Sequence, residues 1–299
     1  MKRTKTLIVI CGPTASGKTS LAIQLAKYYD AEIFSADARQ FYCEMEIGTA
    51  KPNTEELATV PHHFINNKSI HDNYTAGAYE KDAIAALSAY FETKDVAILC
   101  GGSGLYIKAV TEGLEEKKPI SEDVKRTIAQ LSLKEMAQKI KELDPEYYAI
   151  ADIQNPRRIS RALELIINSG KKMSEMNTGV IKKRDFRIIY IGVEVPREEL
   201  YNRINQRVEK MIAGGLEEEA RKLYAERQLL ALQTVGYKEW FDCFDEKHTK
   251  PETIALIKQN TRNYAKRQFT WFRKVVDMNW FNPSNLTEII DLIQSETKY

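Results

Sequence analysis

The segment GPTASGKT at residues 12–19 constrains the fold of this chain more than any other feature. It fits the pattern G-x-x-x-x-G-K-[ST] and stands between an apolar run at 7–11 and a helical pattern at 20–28. Its glycines let successive backbone N–H groups converge on an anion, and the following helix directs its positive N-terminal end at the same place. The segment therefore predicts a phosphate-binding loop, comprising Gly12, Pro13, Thr14, Ala15, Ser16, Gly17, Lys18 and Thr19.

Each polar residue of this phosphate loop has a predicted role. Lys18 neutralises the terminal phosphates, and the Thr19 hydroxyl holds a Mg²⁺ ion that bridges them. The loop does not identify which polyphosphate binds. A glycine-rich turn that binds nothing is the alternative, and the strand and helix patterns on either side favour phosphate binding.

Apolar runs alternate with helical patterns along the N-terminal part of the chain. Strands are predicted at 7–11, 31–36 and 96–100, and helices at 20–28 and 76–93. This alternation is typical of an α/β domain with a mainly parallel sheet, here a P-loop NTPase-like core. Because ligands of such sheets bind beyond the carboxyl ends of the strands, the phosphate loop, Asp37 and Ser103 are the candidate functional groups.

The alternation stops near residue 113. Only helical patterns follow up to about 185, and a strand pattern resumes at 187–193. Helices then continue to about 267, and an apolar segment at 275–281 precedes an amphipathic helix from 285. The sequence therefore predicts an α/β core of 1–112 and 186–299 that carries an inserted helical domain of 113–185.

Composition limits the class of protein. The chain has 299 residues, of which 43% are hydrophobic and 29% charged, as in soluble globular proteins. No segment is long and apolar enough to predict a membrane span or a signal peptide, so we expect a cytosolic protein. Four cysteines without C-x-x-C spacing favour reduced thiols and no structural metal. A net charge of +2 does not by itself indicate a nucleic-acid partner.

Two short segments after predicted strands carry candidate catalytic groups. Asp37 can accept a proton from a nucleophile or read a base edge, although capping a turn is the commoner role of such an aspartate. Ser103, in the segment GGSG at 101–104, can donate to a charged oxygen. It can equally be the N-cap of a helix, and these two roles are compatible.

A third segment is basic and aromatic. No acidic residue occurs between Glu252 and Asp277, and this basic-aromatic segment contains Lys258, Arg262, Tyr264, Lys266, Arg267, Phe269, Trp271, Phe272, Arg273 and Lys274. Such a pattern is typical of a surface that binds phosphate backbones, and a solvated basic helix face is the alternative.

Two weaker features accompany it. Arg203 and Arg207 are four residues apart and can clamp a second side of the polyphosphate, as arginines do in the lids of nucleotide kinases. His62, His63 and His71 lack the accompanying carboxylate or cysteine spacing of a metal site.

Taken together, the ordered motifs resemble the tRNA dimethylallyltransferase family over nearly the whole chain. The matching pieces are the phosphate loop, 37–42, IGTAKP at 47–52, HHF at 62–64, GGSGLY at 101–106, NPRRISRALE at 155–164, VGYKE at 235–239, and YAKRQ at 264–268 with TWFR at 270–273. The resemblance implies transfer of a dimethylallyl group from its diphosphate to the exocyclic amine of the adenosine immediately 3′ of the anticodon. The tRNAs concerned read codons that begin with U, and the target nucleotide must be flipped out of the loop.

The resemblance also implies roles for individual residues. The phosphate loop grips the diphosphate, Asp37 is the general base, Ser103 lies near the bridging oxygen, and Arg207 binds the diphosphate. The implied tRNA-binding residues are Asp37, Ala38, Arg39, Gln40, Ser103, Lys125, Arg157, Arg158, Ile159, Ser160, Arg161, Gln233, Thr234, Val235, Gly236, Tyr237, Lys238, Arg262, Lys266, Arg267, Gln268 and Arg273. We expect a monomer of the bacterial form, with Mg²⁺, dimethylallyl diphosphate and a tRNA anticodon stem-loop as partners.

The chain departs from the family pattern at three places. Ala38 replaces a common serine, Ser103 replaces threonine, and the segment 121–144 is shorter than expected. The main alternative is a P-loop kinase of a small metabolite, in which Asp37 activates a hydroxyl and Arg203 and Arg207 form the lid. A non-catalytic RNA-binding ATPase is the second. The third predicted strand ends without the aspartate that many nucleotide hydrolases use to bind Mg²⁺, which disfavours the ATPase.

Overall fold

The computed structural model describes residues 4–115, 119–176 and 181–297. The chain divides into two compact units. We call Met1–Leu114 with Lys183–Tyr299 the core unit, and Glu115–Lys182 the helical unit.

One parallel sheet organises the core unit. Its strands within the described residues are β1 (Thr6–Cys11), β2 (Ile33–Ser35), β3 (His62–His63), β4 (Val96–Gly101), β5 (Arg187–Val193) and β6 (Asn279–Phe281). Their order across the sheet is β3-β2-β4-β1-β5-β6, and every neighbouring pair is parallel. The predicted α/β fold with a mainly parallel sheet is therefore confirmed.

Helices cover the sheet and build the helical unit. In chain order they are α1 (Lys18–Tyr29), α2 (Thr54–Thr59), α3 (Ala76–Tyr90), α4 (Gly104–Thr111), α5 (Glu122–Ala129), α6 (Leu133–Leu143), α7 (Pro145–Ile150), α8 (Pro156–Ser169), α9 (Met173–Met176), α10 (Arg197–Ala213), α11 (Leu216–Lys222), α12 (Tyr237–Phe244), α13 (Lys250–Phe272) and α14 (Leu286–Thr297). Short 3₁₀ helices lie at Tyr224–Glu226 and Leu230–Leu232. Among the described residues, none of these helices combines the length and hydrophobicity that a membrane crossing requires.

The central strand β1 explains how the site is positioned. All six of its residues are buried; Leu7 and Val9 pack into one hydrophobic layer and Ile8 and Ile10 into the other. A run that is apolar on both faces is what a strand covered by helices on both sides requires. In the register of the sheet, Cys11 lies beside Gly101, and the Ser35 position lies beside Cys100. The chain therefore leaves β1, β2 and β4 at one edge of the sheet.

The observed elements differ from the predicted ones at their ends. The second strand is Ile33–Ser35 and not 31–36, and only Asn279–Phe281 of the apolar segment 275–281 is a strand. Phe272 still belongs to α13, and Asp277 adopts a positive φ of 62°, which turns the chain before β6 begins. The two-residue strand β3 and the short helix α2 were not predicted, because two or six residues carry no usable periodicity.

The helical unit has its own hydrophobic core. Ile128, Ile140, Ile159 and Leu163 are buried there. Helix α8 begins with an Asn155 side chain that accepts the Arg158 N–H at 3.2 Å, and it ends at Gly170 with a positive φ of 68°. Both termini follow the usual capping chemistry.

A buried carboxylate joins two elements of this unit. Asp144 caps α7 by accepting the Tyr147 N–H at 3.0 Å, and it accepts both the N–H and the hydroxyl of Ser174 at 2.9 Å. Burial raises the pKa of Asp144, but the hydrogen bonds from Ser174 and Tyr147 outweigh it and lower the pKa below 3.8. The charged form of Asp144 is therefore the one that the folded helical unit binds.

We expect Asp144→Ala to destabilise the helical unit by about 1–3 kcal/mol, because it leaves three donors without their acceptor. Since the folded pKa is depressed, the contribution of Asp144 is present above its unfolded pKa and is lost as pH falls through the folded pKa. Hydrogen exchange of the α7 and α9 amides measures the effect. Asp152→Ala, at an exposed position, is the matched control. Equal protection in the two variants would contradict the assignment.

Candidate active site

A cavity opens at the sheet edge where β1, β2 and β4 end. Its volume is about 180 Å³. The sequence-predicted residues that line it are Thr14, Lys18, Thr19, Asp37, Arg39, Gln40, Arg207, Thr234, Val235, Gly236 and Gln268. Residues from distant parts of the core unit thus meet around one space.

The phosphate loop places two cations in this cavity. The loop turns through Ala15 and Gly17, which have positive φ values of 63° and 97°. Lys18 Nζ donates to the Pro13 carbonyl at 2.6 Å, and Arg207 Nη1 donates to the Thr14 hydroxyl at 3.3 Å. Within the described chain neither cation forms an ion pair.

The cavity disfavours the charge that these groups carry. Burial, together with the neighbouring Arg207, lowers the pKa of Lys18 to about 8. Burial also lowers the pKa of Arg207. Binding of an anion in the cavity therefore offsets the electrostatic cost of burying these two cations.

Asp37 is the carboxylate of the cavity. Its Oδ1 accepts the Arg39 N–H at 2.9 Å, which is the turn-capping contact considered for it. Burial raises the pKa of Asp37, although hydrogen bonds from the backbone of Arg39 and Gln40 oppose the shift. The same side chain thus fixes the turn and presents a carboxylate that is more basic than usual.

Ser103 differs from its predicted N-cap role. It stands at the N-cap position of α4, but its side chain makes no capping hydrogen bond. Instead Ser103 Oγ accepts the Ala38 N–H at 2.9 Å. Ser103 is buried beside the cavity and is not among its lining residues, so in this structure it orients the peptide that follows Asp37.

Gln268 connects three parts of the site. Its side-chain oxygen accepts the Thr14 N–H at 2.8 Å, and its side-chain nitrogen donates to the Gly102 carbonyl at 2.8 Å. A Cβ at residue 102 would lie 2.3 Å from that nitrogen, so the close approach requires glycine. Helix α13 is thereby tied to both the phosphate loop and the β4–α4 turn.

Three of the predicted tRNA-binding residues have buried side chains. Gln268, Tyr237 and Ile159 are buried, and the polar atoms of Gln268 and Tyr237 are bound within the protein. Ile159 packs in the core of the helical unit. These side chains contact the protein itself, and their role in tRNA binding stays a prediction.

The segment 46–50 forms another wall of the cavity. The Glu219 carboxylate accepts the N–H groups of Glu46, Ile47 and Gly48 at 3.0, 2.8 and 3.0 Å, and the Tyr237 hydroxyl at 2.6 Å. The Tyr237 ring packs so closely on Gly48 that a Cβ there would lie 2.5 Å from it. These contacts give the VGYKE motif a positioning role.

Gln40 and Arg39 are also engaged with the protein. Gln40 Nε2 donates to the Ala50 carbonyl at 3.2 Å, and the Ser35 hydroxyl donates to Gln40 Oε1 at 3.1 Å. Arg39 Nη1 donates to the Ala38 carbonyl at 2.7 Å. Both side chains line the cavity while they hold its walls.

The sequence interpretation did not assign several cavity residues to the site, although four of them belong to the matching motifs at 47–52 and 264–268. These are Gly48, Thr49, Ala50, Val208, Met211, Ile257, Thr261 and Tyr264. Burial raises the pKa of Tyr264 to about 12, Asp37 adds to the shift, and a hydrogen bond with Ser103 opposes it. Helical spacing was the available signal, because Thr261, Tyr264 and Gln268 lie on one face of α13.

The remaining predicted tRNA-binding residues fall into three groups. Thr234, Val235 and Gly236 line the cavity, and Gln233 Nε2 donates to the Arg227 carbonyl at 2.6 Å. In the helical unit, Arg157 and Arg158 are exposed, Lys125 and Arg161 form surface ion pairs with Glu122 and Glu164, and Ser160 Oγ donates to Glu164 at 3.4 Å. In the core unit, Lys238, Lys266, Arg267 and Arg273 are exposed, and Arg262 donates to Asn205 at 2.7 Å.

The weaker features have structural partners. Arg203 pairs with Glu199 at 2.5 Å and does not line the cavity. His63 lies 2.6 Å from Glu32 and stacks on Phe34, and His62 Nδ1 lies 2.7 Å from the Val60 carbonyl. The two histidines thus fix the edge strand β3.

We expect the affinity for inorganic diphosphate to fall above about pH 8, by up to about tenfold per pH unit. The anion favours charged Lys18, whose pKa in the free protein is about 8, so binding at higher pH must take up a proton. Isothermal titration calorimetry between pH 7 and about 9.5 measures this.

Lys18→Arg is the informative variant, because arginine stays charged over this pH range. The affinity of that variant should change with pH only through the ionisation of the diphosphate. Lys27→Ala, exposed at the end of α1, should behave like the unaltered protein. Parallel pH profiles for Lys18→Arg and the unaltered protein would contradict the prediction.

Comparisons with known proteins identify the family of this chain. Residues 40–275 match the family model described as IPP transferase. The tRNA dimethylallyltransferase of Christiangramia forsetii is 49% identical, over 97% of this chain and 98% of that protein. That of Cytophaga hutchinsonii is 44% identical, over 98% and 97%.

A solved structure is similar as well. The full-length tRNA isopentenylpyrophosphate transferase of Bacillus halodurans superposes with a TM-score of 0.74 at 33% identity. The similarity covers 98% of this chain and 97% of that one. On its sequence and its fold, this chain belongs to the IPP transferase family.

Proposed function

We propose that this protein transfers a dimethylallyl group from dimethylallyl diphosphate to a tRNA. The acceptor is the exocyclic amine of the adenosine immediately 3′ of the anticodon, in tRNAs that read codons beginning with U. The observation that carries the proposal is that one cavity holds a carboxylate with a raised pKa and two cations that form no ion pair with the described residues. The names of the relatives at 49% and 44% identity support it.

The cations serve the leaving group. Lys18, Arg207 and the N–H groups of the phosphate loop bind the diphosphate and stabilise the charge that develops on it as the C–O bond breaks. Strand β4 ends at Gly101 and is followed by Gly102, and Cys100 is neutral because burial raises its pKa to about 11. This composition fits an enzyme in which the diphosphate departs as a leaving group. It fits a kinase, in which a phosphate group is transferred, less well.

The residues present also fit a Mg²⁺ ion. Thr19 lines the cavity, and its hydroxyl makes no hydrogen bond to the described parts of the chain. A hydroxyl oxygen together with diphosphate oxygens is a donor set that Mg²⁺ accepts. When bound, the ion neutralises part of the diphosphate charge.

Asp37 serves the acceptor. The new C–N bond makes the adenosine amine more acidic, and Asp37 accepts the proton that the amine loses. Ser103 and the backbone N–H of Arg39 hold the turn that carries the carboxylate. The raised pKa makes Asp37 a better base than an aspartate in water.

The exposed cations of both units are the proposed tRNA-binding groups. Lys125, Arg157, Arg158 and Arg161 belong to the helical unit, and Lys266, Arg267 and Arg273 to the core unit. Cations at such surfaces bind the phosphates of a folded stem while the unpaired loop is read at the cavity. We further propose a monomeric enzyme that acts in the cytosol.

The decisive experiment compares two labels. The protein is incubated with unmodified tRNA and either dimethylallyl diphosphate labelled in its alkyl group or ATP labelled in its γ-phosphate. We expect the RNA to acquire the alkyl label, and ATP neither to label the RNA nor to replace the isoprenoid donor. Phosphate label on the RNA or on a small metabolite would instead establish a kinase.

We expect Asp37→Asn to lower the single-turnover rate by about 10² to 10⁴, because the amide cannot accept a proton. The rate of the unaltered enzyme should fall as pH falls through the raised pKa of Asp37, and the residual rate of the variant should lack this dependence. Rapid-quench assays with saturating tRNA measure both. Asp72→Asn, on the surface outside the cavity, is the control. A near-normal rate in Asp37→Asn would remove this residue from proton transfer.

A further inference from the structure

One face of α13 continues from the cavity to the protein surface. Thr261, Tyr264, Gln268 and Trp271 follow one another at spacings of three, four and three residues, so they share a helix face. The first three line the cavity, and Trp271, the next in the series, does not. Trp271 therefore extends the lining face of α13 beyond the cavity.

Trp271 is exposed but held in place. It is 41% exposed, and its indole packs on the backbone at Gly104, where a Cβ would lie 2.2 Å from Nε1. One edge of the ring is therefore fixed by the first residue of α4. Leu105, the next residue, is 47% exposed. A rigid aromatic ring left accessible to solvent is typical of a binding surface.

The charges around Trp271 identify the chemistry of its partner. Arg267, four residues before Trp271, and Lys274, three residues after it, are exposed and have no ion-pair partner among the described residues. No acidic residue occurs between Glu252 and Asp277. By contrast, Lys258, at the other end of the basic-aromatic segment, pairs with Glu209 at 2.5 Å. The partner is thus flat, aromatic and flanked by negative charge, as an unpaired nucleotide is.

We propose that Trp271 stacks on one unpaired base of the RNA loop, next to the nucleotide that enters the cavity. Arg267 and Lys274 neutralise the phosphates on either side of that base. This proposal rests on the proposed function, because it takes tRNA as the substrate. When the target nucleotide flips out, the neighbouring base loses a stacking partner. The Trp271 ring takes the place of that partner.

Tryptophan fluorescence tests the contact directly. The chain has three tryptophans: Trp240 is fully buried, Trp280 is partly buried and stacks on Phe269, and Trp271 is exposed. We expect an anticodon stem-loop RNA to quench the fluorescence of the full-length protein. The quench should be lost in Trp271→Phe and kept in the matched variant Trp280→Phe.

Affinity gives a second measurement. Trp271→Leu should weaken RNA binding by about 5- to 100-fold without changing its salt dependence, because stacking releases no counterions. Lys266→Ala should instead lower the log-log salt slope by about 0.7 to 0.9. An RNA that lacks the stacked base should bind the unaltered protein more weakly and bind Trp271→Leu no more weakly than the intact RNA does. Unchanged binding of inorganic diphosphate shows that each variant is folded.

Each other result counts against the proposal. A quench that persists in Trp271→Phe, or an unchanged affinity in Trp271→Leu, would overturn the stacking role while leaving alkyl transfer to tRNA intact. Quenching that depends on protein concentration without RNA would reveal a contact between two copies and would also overturn it. If the unaltered protein neither binds nor alkylates tRNA, the proposed function fails together with this inference.

Discussion

The two hydrogen bonds of the Gln268 side chain are the constraint on which the rest of the site depends. One reaches the phosphate loop and the other reaches the turn after β4, so a single amide sets the distance between two strand ends and α13. A carboxylate of the same shape offers no donor for the Gly102 carbonyl, and a lysine offers no acceptor for the Thr14 N–H. The amide is the side chain that satisfies both backbone groups, and burial makes leaving either one unpaired costly.

The cavity beside Gln268 contains three buried ionisable groups whose pKa values are shifted. Lys18 and Arg207 have lowered pKa values, and Asp37 has a raised one, all chiefly because of burial. These shifts show that the three charged groups lie in an environment that solvates them poorly. A diphosphate satisfies the two cations and leaves the carboxylate for the acceptor. The division of labour between donor and acceptor thus follows from where each charge is held.

Local sequence patterns predicted those parts of the site that are local in the chain. The phosphate loop, and the approach of Asp37 to the segment 101–104, follow from a motif and from the rule that parallel strands end at one edge. The wall formed by 46–50 does not follow, because it depends on Glu219, about 170 residues away in the chain. Motif membership also cannot tell which atoms face a ligand. Tyr237 and Gln268 belong to matching motifs, yet their side chains act inside the protein.

The division of the core unit into two stretches of chain bears on how the protein is made. Strand β1 is hydrogen-bonded on one side to β4, which precedes the helical unit, and on the other side to β5, which follows it. During synthesis the first stretch therefore leaves the ribosome with one edge of β1 unpaired. The residues of β1 are mostly apolar. The helical unit is continuous in sequence and emerges before residues 187–193 can close the sheet. Its length thus sets how long a nascent sheet edge, a site prone to aggregation, stays open.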